Sequence, residues 1–433
     1  MAPARSAALQ TLHAVRRGAF TDRAFEPVAR SLGPSDRRLA QELVYGVLRL
    51  RGRLDHLIGC LTAAGLASLE PDVLDVLRLG AYQLSELDRV PAYAVISEAV
   101  EAAKRSSGAG AAALVNAVLR RLSREGPGSC TFPERDADPV GYLTAWGSHP
   151  DWLIERWLER WTLADVERLV THNNSRPAVY LTVIGPRDDA LERLWSAGIT
   201  AEPVELASAS VRLGSRHLMQ ALELVEAVVQ DPAAAVVIEY AALPRGVGVV
   251  DFCAAPGGKA AILAARGHEV WAFDVSRSRQ RRTVENRARL GLGRLHIGLA
   301  NASEPPLRRA AAVLLDVPCT GTGTLARHPD GRWRLRPRDI EAAAQLQRRL
   351  LDGTAEVVAP GGWLVYATCS LEPEENEGQV EAFLARHTDF ELDPPGEGVV
   401  PRELLGSAGE LQVLPHRQGW DGVYAARLRR GTG

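Results

Sequence analysis

The chain has 433 residues, of which 24% are charged, and a formal net charge of −2. It is long enough for two or three domains with a sizeable core, which excludes a disordered chain and one basic throughout. No apolar run approaches the ~20 residues needed to cross a bilayer. The first residues lack an apolar signal region, and the five cysteines lack CxxC spacing, so a reducing cytoplasm, no membrane and no metal are expected.

Residues 1–126 read as all-helical, because apolar residues recur at helical spacing, as in Leu39, Leu43, Val44 and Val47. This stretch holds 17 Lys or Arg against 13 Asp or Glu, a net of +4 that weakly favours RNA over a merely solvated surface. Gly126 to Pro133 is rich in Gly and Pro and marks a boundary. Residues 127–235 mix helices with strands at Val179–Ile184 and Ala201–Leu206, a small α+β unit.

From residue 236 to 433 short apolar runs alternate with helical patterns, which implies a parallel α/β sheet. The expected strands are 247–251, 269–273, 296–299, 311–316, 363–367, 411–415 and 422–428, the last two forming a hairpin. A doubly wound, Rossmann-like sheet ending in an antiparallel hairpin is the shape of a class I methyltransferase.

Three segments then carry the chemistry. The first, Asp251 to Lys259, follows a strand and opens a helix. Small residues let the backbone approach a ligand, and the helix N-terminus offers free N–H groups to a carboxylate. S-adenosylmethionine has such a carboxylate and no phosphate. Neither a phosphate loop nor GxGxxG is present. Seventeen residues after Gly257, Asp274 ends the next strand, where an acid can accept from ribose hydroxyls. Asn301, past the following strand, is placed to receive an adenine amino group. Lys259 is one of two lysines among 51 basic residues. A compact ammonium at that position fits where a guanidinium fork does not.

The other two segments run from Asp316 through Cys319 to Gly323 and from Thr368 through Cys369 to Ser370. Each follows a strand end, where ligands bind in such sheets, so both cysteines should face the crevice that the glycine loop lines. Methylating C5 of cytosine becomes feasible when a thiolate first adds to C6, and a base in a helix must be flipped out or already unpaired. Spacing alone does not rank Cys319 against Cys369.

Residues 251–259, 314–321 and 366–376 resemble the motifs of the RNA cytosine-C5 methyltransferases of the Nol1/Nop2/Sun family. Segments 36–46, 78–83, 90–98 and 114–120 are similar to the antitermination factor NusB. The combination resembles the bacterial RsmB/Sun/Fmu type, which acts on cytosine 967 of 16S rRNA. The resemblance covers nearly the whole chain and is weakest between about 130 and 230. It implies a NusB-like RNA-binding domain at 1–126, a linker or RNA-binding subdomain at 127–235 and a methyltransferase domain at 236–433.

The same resemblance makes Cys369 the nucleophile and Cys319 the residue that aids product release. It places Cys253, Ala254, Ala255, Pro256, Gly257, Gly258, Lys259, Asp274, Asn301 and Asp316 around S-adenosylmethionine. Asp316 would also face the target base, and Lys259 would sit near the transferred methyl. Two departures stand out: Asn301 where the family usually has aspartate, and Ala260 where Thr is common.

The five arginines and one tryptophan of residues 327–338 offer phosphate pairing and base stacking through Arg327, Arg332, Trp333, Arg334 and Arg336. The seven arginines between 277 and 294 read as an exposed helix. Glu374, Glu375 and Asn376 are expected to cap a helix that positions the Thr-Cys turn. The expected partner is 16S rRNA before or during small-subunit assembly, bound by a monomer. An RNA-binding assembly scaffold with a weakened cofactor site and a DNA cytosine methyltransferase are the alternatives. Intact Cys319, Cys369, Asp316 and Lys259 oppose the first, and the Thr-Cys cysteine with the NusB-like region opposes the second.

Overall fold

The computed structural model describes residues 2–214 and 217–432. Met1 and Gly433, the outer ends of the first and last expected domains, lie outside the described residues. The chain divides into two units, residues 1–176 with 325–335, and residues 177–324 with 336–433.

The first unit is helical. Helices Pro3–Arg16, Thr21–Ala29, Pro34–Arg49, Arg51–Leu61, Pro71–Glu86 and Ala92–Glu125 surround one core. Each helix turns one stripe inward, as in Leu43, Val44 and Val47, or Leu54, Leu57 and Ile58, all buried. The longest helix is broken at Gly108, whose φ of 86° only glycine adopts without strain.

Helices Asp151–Leu158 and Leu163–Asn174 also belong to this unit and bury Leu153, Ile154, Trp157, Leu169 and Val170. The expected middle domain is thus divided: its first helices pack with the helical unit. Residues 325–335 are a separate excursion of the chain into the same unit.

The second unit holds two sheets. The smaller is antiparallel, with strands β1 (Val179–Val183), β2 (Ala201–Pro203), β3 (Ser210–Leu213) and β4 (Ala227–Val229) in the order β2-β3-β1-β4. The expected strand at 201–206 stops at Pro203, because the chain turns there and Val204 N–H bonds Ser210 O at 3.1 Å.

The larger sheet contains β5 (Val249–Phe252), β6 (Val270–Asp274), β7 (Leu295–Leu299), β8 (Ala310–Asp316), β9 (Val358–Thr368), β10 (Phe390–Leu392), β11 (Leu411–Val413) and β12 (Val423–Arg430). Its order is β10-β12-β9-β8-β5-β6-β7, with β11 on β12. Strands β5 to β9 are parallel, and β12 returns antiparallel to β9 and to β11. The order reverses between β5 and β8, so a crevice opens beyond their carboxyl ends. Strand β9 starts five residues earlier than expected. Gly361 and Gly362 lie within it, at a register shift where a Cβ on Gly362 would meet Ala311 O at 2.8 Å.

Candidate active site

Strands β5, β6, β8 and β9 end at Phe252, Asp274, Asp316 and Thr368, all on the carboxyl side of the sheet. The glycine loop follows β5. Gly257 has φ of 90°, and a Cβ there would lie 2.6 Å from Thr283 Oγ1, so the loop needs glycine for two reasons. Helix Gly258–Ala265 begins at once and points its N-terminus into the crevice region. Cys253 and Ala255 are half-buried, Ala254 and Gly257 are buried, and Pro256 is exposed.

Asp274 is buried. Its Oδ1 accepts from Ser276 N–H at 2.7 Å and Arg279 at 2.9 Å, while its Oδ2 is buried without a partner. Asp251 is 1% exposed, and neither of its oxygens has a partner. Burial, then repulsion from Asp316, pushes its carboxyl well above the usual range, with Lys259 opposing. A native fold seldom leaves such acceptors unpaired. Unpaired acid oxygens beside a glycine cradle and a helix N-terminus fit hydroxyl and ammonium donors plus a carboxylate, which is the polar set of S-adenosylmethionine.

Lys259 donates to Asp316 Oδ2 at 2.7 Å. Burial disfavours its charge, but Asp316, Asp251 and the Cys369 sulfur outweigh this and hold its pKa above the usual value. The Sγ atoms of Cys319 and Cys369 are 3.2 Å apart, both as free thiols. The bond to Cys369, then burial, keeps the Cys319 thiol protonated well beyond the normal range. Burial followed by the charges of Asp316, Asp251 and Asp274 pushes Cys253 up to about 12, so it is a poor nucleophile.

Sequence reasoning missed much of what holds the cysteines. Asn376 does not cap the next helix through its side chain. Instead its amide accepts from Thr368 Oγ1 at 2.5 Å and donates to Ser370 O at 3.0 Å, bracketing Cys369 directly. Thr322 Oγ1 accepts from Leu371 N–H at 2.9 Å and so ties the two cysteine turns together. Gln230 was also missed. A Cβ on Gly258 would meet its Nε2 at 3.2 Å, and its Oε1 is buried without a partner.

Residues 243–429 match the model of the 16S rRNA methyltransferase RsmB/F, residues 2–124 the NusB family, and residues 149–220 the ferredoxin-like domain of RsmF/B-like methyltransferases. The chain is 34% identical over 435 residues to the probable ribosomal RNA small subunit methyltransferase B of Synechocystis, covering 96% of both. The chain belongs to the RsmB/F methyltransferase family. It is also 34% identical to ribosomal RNA small subunit methyltransferase B of Vibrio vulnificus, covering 98% of both. The crystal structure of PH0851 superimposes with a TM-score of 0.79 at 25% identity, covering 99% of each chain.

In this RsmB/F chain Asn301 is exposed, and its Oδ1 accepts from Ser303 N–H at 3.1 Å, a local turn at the end of β7. The arginine segment calls for a correction. Arg332 is 0% exposed, so it is not a phosphate contact. Its guanidinium donates within the helical unit to Ser148 O at 3.1 Å, Asn173 O at 2.9 Å, Leu325 O at 3.2 Å and Asn174 Oδ1 at 2.7 Å. Burial lowers its pKa to about 9.

Trp333, expected to stack on a base, is half-buried. It donates its indole N–H to Leu48 O at 2.7 Å and carries Arg51 over its ring at 5.0 Å. Arg334 pairs with Asp330 at 3.0 Å and lies 3.9 Å over the Phe20 ring, both inside the same unit. Arg327 is half-buried, and Arg336, in the other unit, is exposed. Among the described residues no group of three or more His, Cys, Asp or Glu could hold a metal, and no helix is long and apolar enough to cross a membrane.

Proposed function

We propose that the protein methylates C5 of one cytosine in 16S rRNA through a covalent bond from Cys369 to C6. The observation that carries this reading is the pair of thiols 3.2 Å apart beside the Lys259–Asp316 pair. One cysteine suffices to activate the base; a second at contact distance has a use when the enzyme must also let the base go.

Residues 253–259, Asp251, Asp274, Asn301 and Asp316 would hold S-adenosylmethionine, which supplies an electrophilic methyl group when bound. Asp274 Oδ2 would accept from the ribose hydroxyls, Asp251 would face the ammonium, and the amides at Gly258 and Lys259 would meet the carboxylate. Lys259 keeps its positive charge beside the carboxylates and the Cys369 sulfur.

The Cys369 thiolate adds to C6, and the C5–C6 electron pair becomes a nucleophile at C5. Asp316 offers its second oxygen to the amino edge of the base. After C5 has gained the methyl, its proton passes to a solvent water, the C5–H electron pair restores the C5–C6 double bond, and the S–C6 bond breaks with its electron pair returning to sulfur. The Cys319 thiol, held protonated, donates to that departing sulfur and eases release. The names of the relatives support 16S rRNA as substrate, and the NusB-like helices are the natural platform for it.

Bisulfite sequencing of unmodified 16S rRNA after incubation with protein and S-adenosylmethionine tests the reading. One protected cytosine is expected, absent with Cys369→Ala. Full turnover by Cys369→Ala would overturn the mechanism. Cys319→Ala should accumulate a protein–RNA adduct on denaturing gels, and its absence would remove the release role.

A further inference from the structure

Glu375 belongs neither to the cofactor cradle nor to the thiols, yet its carboxylate touches both cysteine turns. It is 0% exposed. Its Oε2 accepts from Thr320 N–H at 2.9 Å and Gln347 Nε2 at 2.8 Å. Its Oε1 accepts from Ser370 Oγ at 2.6 Å and from the Thr320 hydroxyl. Thr320 directly follows Cys319, and Ser370 directly follows Cys369. One carboxylate therefore holds the residue after each thiol.

Chemistry makes this carboxylate hard to replace. An ionised carboxylate accepts about four hydrogen bonds and donates none, and four donors converge on Glu375. An amide would keep the shape but turn an N–H2 toward two of those donors. Burial raises the Glu375 pKa, and its hydrogen bonds from Ser370, Thr320 and Gln347 pull it back. Among the described residues no Lys or Arg forms an ion pair with it, so its donors alone support the charge.

The clamp is itself anchored. Tyr366 on β9 donates to Glu375 O at 2.6 Å, and Gln347, on helix Pro337–Val357, also donates to Pro318 O at 3.2 Å. Pro318 precedes Cys319, so the Pro-Cys turn is held on both sides of its thiol.

We infer that Glu375 is a positioning residue that sets the Cys319–Cys369 separation by binding the residue after each cysteine. The inference rests on the two-thiol reading of the site. Dibromobimane becomes fluorescent when two neighbouring thiols displace both of its bromides. With the full-length protein, mass spectrometry should find the peptides of Cys319 and Cys369 bridged. Glu375→Gln should slow that bridging at least ~5-fold and lower kcat by ~10–100-fold, since a misplacement near 1 Å costs about 100-fold. The dissociation constant for S-adenosylmethionine and the KM for RNA should stay within about twofold, because Glu375 reaches neither.

Should Glu375→Gln fail to fold, Ser370→Ala cuts one arm of the clamp alone and should slow bridging in the same direction. Bridging at the wild-type rate in the folded variants would overturn the proposal, whatever happens to methylation. Absence of methylation by the wild-type protein would instead overturn the functional reading, and the bridging rates would still decide the clamp.

Discussion

Replacing Gly323 with Ala perturbs the cysteine pair without touching a reacting group. A Cβ at this position would lie 2.7 Å from Gly422 O and 2.8 Å from both Cys369 O and Gly422 Cα. All three are backbone atoms, so no rotamer change relieves the clash. Ordinary contact begins at 3.4 Å, and the turns must part by about 0.6–0.7 Å. Two bonds stretch with them: Gly323 N–H to Cys369 O at 3.0 Å and Gly422 N–H to Gly323 O at 2.7 Å.

Overpacking of this kind costs ~1–3 kcal/mol, and weakening two backbone bonds adds ~1–2 kcal/mol. A loss of about 2–5 kcal/mol should lower the unfolding midpoint by about 5–15 °C for a unit of this size. If a 1 Å misplacement costs about 100-fold, 0.65 Å costs about 20-fold in kcat. Single-turnover transfer to 16S rRNA, calorimetry with S-adenosylmethionine and thermal unfolding measure the three quantities. The expected pattern is slow transfer, unchanged cofactor affinity and a lower midpoint. A variant with wild-type kcat and midpoint would show that the two turns do not pack against Gly323 and that thiol spacing does not set the rate.

Two further outcomes follow from buried charges. Lys259→Met removes the partner of Asp316, whose side chain is 33% exposed, and should cost ~1–3 kcal/mol of stability, the range of a hydrogen bond between charged groups. The raised pKa of Lys259 means that its contribution is complete below the usual 10.5 and fades as pH rises through the folded value. Above pH 10.5 the wild-type protein should therefore lose stability faster than Lys259→Met, and parallel denaturation curves there would contradict the pairing. Arg332→Ala should destabilise the helical unit by ~3–5 kcal/mol, because it strands buried carbonyls. The salt dependence of RNA binding should not change; a stable variant whose salt slope falls by about one would return Arg332 to the RNA surface.

Much of the catalytic half was legible in the residues because its signals are local. Asp251, Asp274 and Asp316 each sit at the end of a run apolar enough to be a buried strand, and a glycine turn declares itself within seven residues, 253–259. Strands β3 and β4 were missed because they have four and three residues and owe their pairing to β1, 34 positions away at Val179↔Leu213 and 48 at Leu181↔Val229. The helices at 151–174 look like any others in sequence; their place in the first unit depends on which core covers Trp157 and Leu169.

By itself, then, the sequence determined the class of the larger sheet, the order of its parallel strands and which side chains stand at their ends, because periodicity and turn chemistry act over a few residues. Only the tertiary structure decided that two thiols 50 residues apart meet at 3.2 Å and that Glu375 binds the residue after each. It also decided that Arg332, one arginine among many in sequence, is spent on buried carbonyls rather than on RNA. Those outcomes depend on which groups lose their water together, and that is settled by packing across the whole fold.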